Sequence, residues 1–150
     1  MQFNLGVTLK TLVIALLLSF TALMHGQPTT RLKDTASARH LTDQMMEKVA
    51  SGEIEAAMNI ARPFLVIPDA ELDSMIGQIR LQVPMMTMRF GKSVGSEFIR
   101  EDKVGQSLMQ IVHIHKFERH ITRWIFYFYR TPTGWVLNTF NFDDNIKALF

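Results

Sequence analysis

His113 and His115 stand two residues apart in the stretch Ser107 to Phe117, SLMQIVHIHKF. Alternate residues of an extended strand share a face, so both imidazoles point the same way, a spacing that can ligate zinc. A tight turn at Glu118-Arg119 sets Thr122 across from His115 and Trp124 across from His113, which supplies neither an acid nor a third imidazole. His120 falls at the hairpin end, opposite Phe117. Without further ligands the pair reads as polar strand positions or part of a dimer surface, and no metal is expected.

The same register assigns faces to the following strand. Met109, Ile111, His113, His115, Phe117, Trp124, Phe126 and Phe128 share one side. Gln110, Val112, Ile114, Lys116, Arg123, Ile125, Tyr127 and Tyr129 share the other. Phenols beside a guanidinium can orient a small anion or a carbonyl, so Arg123, Tyr127 and Tyr129, with Trp124 and His113, are the candidate ligand-binding residues. Both faces carry apolar side chains, and a sheet with helices on one side only would leave the second face for a partner. A homodimer through the sheet is the expected cover.

Other reactive patterns are weaker. Asp143 and Asp144 follow the last strand and precede Ile146, Leu149 and Phe150, a placement that predicts capping of a short terminal helix rather than carboxylate chemistry. Gly91, Gly95 and Gly105 fall beside turns and form no phosphate cradle, so no nucleotide or other cofactor is expected. No Ser-His-Asp order with a nucleophile turn is present. Met85, Met86 and Met88 predict an irregular packed segment filled by adaptable side chains, with a soft-metal site as the rarer reading. No catalytic residue is assigned.

These residues are positioned by a simple order of elements. Leu41, Met45 and Val49 recur at helical spacing from Ala38, and Gly52 stands where a helix end favours glycine. Ile54, Ala57, Met58 and Ala61 continue the period until Pro63. Asp69 is placed to cap a third helix with the apolar stripe Leu72, Met75, Ile76, Ile79 and Val83, which Pro84 ends or bends. From Val94 the period shortens to two. Phe98, Arg100 and Asp102 alternate with Glu97, Ile99 and Glu101 in an edge strand, and the strands of Ser107–Phe117, Ile121–Arg130 and Trp135–Phe142 complete a meander. The turn Thr131-Pro132-Thr133-Gly134 between two aromatic-rich stretches is the strongest hairpin signal in the chain. Three helices followed by four antiparallel strands predict an α+β domain, with the helices on one face of the sheet.

Of the 150 residues, 1–26 read as a secretory signal peptide: Lys10, the apolar run Thr11 to Met24, then His25-Gly26-Gln27. The run falls short of the ~20 residues of a membrane-spanning helix, although an uncleaved anchor or a buried helix is the competing interpretation. Cleavage is expected after Gly26, with Ala22 as the alternative, and the mature chain is expected to be exported, periplasmic or secreted, touching membrane only through the leader. Residues 27–37 are polar and read as a flexible lead-in to a domain at 38–150. Lys10 is one of 16 basic side chains; without it 15 face 14 acidic ones, a balance with no footprint for nucleic acid. There is no cysteine, so packing alone must stabilise the fold.

The order of three helices and an aromatic antiparallel meander ending in Phe142-Asp143-Asp144-Asn145-Ile146 resembles the nuclear transport factor 2-like superfamily over about Ala38 to Phe150. That resemblance implies a curved sheet wrapped around the helices as a cone with a cavity, in a group whose members include enzymes, binding modules and dimerisation units. It resembles the small exported bacterial members. The isomerase-like members pair a carboxylate base with a tyrosine or histidine donor inside the cone, whereas both tyrosines here lie in one strand. The expectation is therefore a non-catalytic domain that binds a small apolar or anionic ligand or itself. An isomerase or dehydratase using the cone cavity is the alternative.

Overall fold

The computed structural model describes residues 29–150, so the predicted signal peptide lies outside the described residues. Helix α1 spans Thr35–Ala50, α2 Ile54–Ala61 and α3 Asp69–Phe90, with a 3-10 turn at Arg62–Phe64. Strands β1 Ser93–Val104, β2 Leu108–Phe117, β3 Ile121–Thr131 and β4 Gly134–Asp143 form one antiparallel sheet in the order β1-β2-β3-β4. The three helices pack against one face of that sheet, an α+β arrangement.

Helix α1 begins at Thr35, three residues before the position its apolar spacing suggested. Asp34 explains the difference: its carboxylate accepts from the Ser37 amide at 2.8 Å and the Ser37 hydroxyl at 2.7 Å, satisfying donors that an uncapped first turn leaves open. Ahead of the cap, Leu32 is buried and exchanges two 2.8 Å backbone hydrogen bonds with Trp135 on the outer edge of β4. The last residues of the polar lead-in are thus part of the domain rather than a loose tether. Leu65 bridges Leu137 farther along the same edge, so two connecting segments close β4. Gly134 permits the first of these contacts: at φ +137° it stands where an added Cβ would lie 2.7 Å from the Leu32 carbonyl oxygen.

Helix α3 departs most from expectation. It does not stop at Pro84 but continues to Phe90, and Met85, Met86 and Met88 are helical residues rather than an irregular core filler. Met85 and Met88 are exposed. The helix survives an internal proline because both ends are held. Arg62 pairs with Asp69 at 2.8 Å and Asp73 at 2.6 Å at its start, so Asp69 serves an ion pair in the first turn while Pro68 occupies the cap position. At its end the Arg119 guanidinium donates to the Met88 and Arg89 carbonyls at 3.1 and 3.3 Å, and the Arg119 amide donates to the Phe90 carbonyl at 2.9 Å. Phe90 packs on Phe117 and His120.

The β2–β3 register matches the one implied by a turn at Glu118-Arg119: His115 faces Thr122, and His113 faces Trp124. One step of β1 does not follow simple alternation. A bulge at Ile99 puts Phe98 on the helix side against His113 and Arg100 on the opposite side against Val112, because an inserted residue inverts the alternation beyond it. The core joins α1, α2 and the first part of α3 to Met109, Ile111, Trp124, Phe126, Phe128 and Leu137 from the inner face.

The outer face is not wholly bare. A 3-10 turn at Ile146–Leu149 lies against β3, and Arg123 donates to the Ala148 carbonyl at 3.4 Å while Arg100 donates to that of Leu149 at 3.1 Å. Val112 and Ile125, beside these arginines, are buried. The predicted terminal helix is this short turn, and its cap position belongs to Asn145 instead of an aspartate.

Candidate functional site

The sheet divides the five candidate ligand-binding residues. His113 and Trp124 point inward, and Arg123, Tyr127 and Tyr129 point outward, so no single pocket gathers them. Arg123 is already engaged: its guanidinium meets Asp143 at 2.6 and 3.2 Å in addition to the Ala148 carbonyl. That hydrogen-bonded pair also holds the Asp143 carboxyl below its usual range. Tyr129 is exposed and Tyr127 half-buried.

His113 and His115 are corrected more sharply. Neither is a surface position; both are buried beneath the helices and build matching links to α1. His113 Nε2 lies 2.9 Å from Thr42 Oγ1, which donates to the Arg39 carbonyl at 2.9 Å. His115 Nε2 lies 2.8 Å from Ser93 Oγ, which donates to the Ala50 carbonyl at 2.7 Å. Each hydroxyl has one proton and spends it on a helix carbonyl, so each imidazole must carry hydrogen on Nε2 and donate it. The Ser93–His115 pair is therefore oriented opposite to a serine nucleophile awaiting a base. Burial pushes His113 down to about 4; Asp43 opposes this and Arg39 adds to it. Burial alone pushes His115 to about 4.

An acid does approach His113, from a helix rather than from the neighbouring strand: Asp43 Oδ1 is 3.8 Å from Nε2, while it pairs with Arg39 at 2.8 Å. The Arg39 guanidinium in turn covers the Phe98 ring at 3.2 Å. Strand spacing carries no information about such a helix-borne contact. Thr42 was more accessible to sequence reasoning, since it lies within the buried stripe Ala38, Leu41, Met45 and Val49. Nothing in the local sequence distinguishes Ser93. No group of three histidine, cysteine or acidic side chains able to hold a metal occurs among the described residues.

Two voids separate the second half of α3 from the inner face of the sheet. The larger is an open cleft of about 400 Å³ whose walls include Met85, Met86, Phe90, Thr122 and Phe142, with Arg89, Asp143 and Asp144 at its polar rim. Arg89 reaches Asp144 at 3.2 Å across the cleft. The smaller is a more enclosed recess of about 70 Å³, bounded by Val49, Ile54, Met86, His115, Phe117 and Trp124 among others. Phe142 stacks on Trp124 with centroids 4.7 Å apart, so one aromatic pair lines both spaces. Thr122 at the base of the cleft is 2 % exposed, and its Oγ1 accepts from Trp124 Nε1 at 3.2 Å. No family model, curated protein or solved structure matches the chain.

Proposed function

We propose that this chain is an exported binding domain of the nuclear transport factor 2-like kind, which takes a small, mainly apolar molecule between α3 and the inner face of its sheet. The cleft carries this reading. Its volume of about 400 Å³ falls in the usual range for small-ligand pockets, and an apolar wall with a few polar groups is the common composition of such sites. A cone-like wrapping of the sheet belongs to the same proposal. The proposal prefers the inner cleft to the outer Arg123, Tyr127 and Tyr129 group, because Arg123 is already paired with Asp143.

An isomerase or dehydratase would need an acid or base poised to exchange protons with the ligand. Asp143 is instead fixed to Arg123 in its charged form, and both buried histidines spend their Nε2 protons on hydroxyls. Binding is the function these arrangements favour. Ligand-observed NMR on the mature chain, with a panel of small ketones, hydrocarbons and carboxylates, tests it. Binding that disappears in Met86→Trp while the fold is retained supports the cleft; no binding by any apolar probe overturns the proposal.

A further inference from the structure

We infer that the cleft and the recess are two halves of one site, divided by Met86, that selects an uncharged molecule with a hydrogen-bond acceptor on an apolar chain, such as a ketone. This rests on the cleft being the binding site and goes on to identify the ligand's chemistry.

The argument begins at Thr122. Its hydroxyl receives the Trp124 indole hydrogen at 3.2 Å, and among the described residues no atom accepts its own proton. A threonine hydroxyl has one proton to give, and leaving a buried donor unused is unfavourable. At the base of the cleft that donor calls for an acceptor on the ligand: a carbonyl, ether or hydroxyl oxygen. Charge at the rim narrows the choice. Asp143 and Asp144 both border the opening, and the one lining cation, Arg89, is already paired with Asp144. Asp143 is likewise paired with Arg123, so a carboxylate ligand would find no free cation at the rim, whereas a neutral acceptor needs none.

The apolar chain is assigned by Met86, which lines both voids. Thr122 and His115 are cross-strand partners, yet Thr122 opens to the cleft and His115 to the recess. Met86 therefore stands over the boundary between two neighbouring inner-face positions. Methionine is unbranched and changes rotamer readily, which makes it a movable partition rather than a fixed wall. A ligand anchored on Thr122 can displace the thioether and extend its chain toward Trp124 and Phe117. The recess offers few polar surfaces there, since His115 is held to Ser93.

The test compares 2-heptanone, n-heptane and heptanoate on the purified mature chain, with a second series from 2-hexanone to 2-decanone. The ketone is expected to bind more tightly than either same-length probe, by about fivefold or more over the hydrocarbon. The carbonyl stretch of bound 2-heptanone is expected below its value in hydrocarbon solvent. Thr122→Val should remove the ketone preference and Thr122→Ser should restore it, while Met86→Ala should move the best chain length upward. Equal binding of ketone and hydrocarbon, or an unshifted carbonyl stretch, overturns this inference and leaves the cleft as a general apolar site. An unchanged chain-length optimum in Met86→Ala overturns the partition. Binding of none of the probes overturns both this inference and the reading on which it rests. The infrared measurement needs no variant, so an unshifted stretch overturns the anchor even if Thr122→Val fails to fold.

Discussion

Two neutral histidines in the core make the protein sensitive to acid. Their folded-state values of about 4 lie below the ordinary value of 6.5, so between these limits the unfolded chain binds more protons than the native one. Stability is therefore full above pH 6.5 and falls as the pH drops toward 4. Asp43 and Arg39 on α1 are the charges close to His113; for His115 burial is the sole cause of the shift. Each histidine should cost about 2 kcal/mol between pH 7 and pH 5. Urea titrations at the two pH values are expected to show the loss, and the double substitution His113→Gln and His115→Gln should flatten it. An unchanged midpoint in the parent protein would contradict the buried neutral state. Sequence alone paired these imidazoles with Thr122 and Trp124 through the turn at Glu118-Arg119. It left them as polar strand positions or part of a dimer surface because alternation tells which residues share a side, not which side the helices choose.

Among the elements, α3 shows how tertiary anchoring overrules a local signal. Proline lacks an amide hydrogen, so the Arg80 carbonyl one turn back loses its helical partner at Pro84. The ion pairs of Arg62 and the clasp of Arg119 nevertheless keep the chain helical to Phe90. Those contacts come from remote parts of the sequence, and no window around Pro84 reveals them. Pro84→Ala is expected to raise the melting temperature, stabilising by up to ~3 kcal/mol if the backbone there is otherwise relaxed. Calorimetry checks this; a lowered melting temperature would mean that the ring's packing outweighs the recovered hydrogen bond. The inserted residue Ile99 was equally hidden, since a bulge depends on how two strands meet. The strands themselves were plain from the aromatic hairpin and its Thr131-Pro132-Thr133-Gly134 turn, where local chemistry and the final pairing agree.

For the molecule as a whole, the outer face decides between a solitary and a paired state. Its central apolar residues, Val112 and Ile125, lie beside the turn that Arg100 and Arg123 secure through two carbonyls. Leu108 and Tyr129 remain exposed on the same side. Removing 145–150 should uncover a continuous apolar strip and shift the protein toward dimers by light scattering, because large bare patches seek cover. A truncated chain that stays monomeric at high concentration would show that this surface is too polar to associate. The general plan of helices over a meander was legible from periodicity. The face-covering turn was not: Ile146 and Phe150 stay exposed despite their apolar character, and the turn is tied to the sheet through the Ala148 and Leu149 carbonyls.

Leu32 carries a consequence for how the chain can be trimmed. Its amide and carbonyl occupy the matching groups of Trp135, in the manner of a one-residue strand addition. Proteolysis that stops before Arg31 leaves this lock intact, whereas a cut three residues farther on would free the Trp135 groups for a foreign strand. A closed and an open β4 edge would then differ by a few peptide bonds.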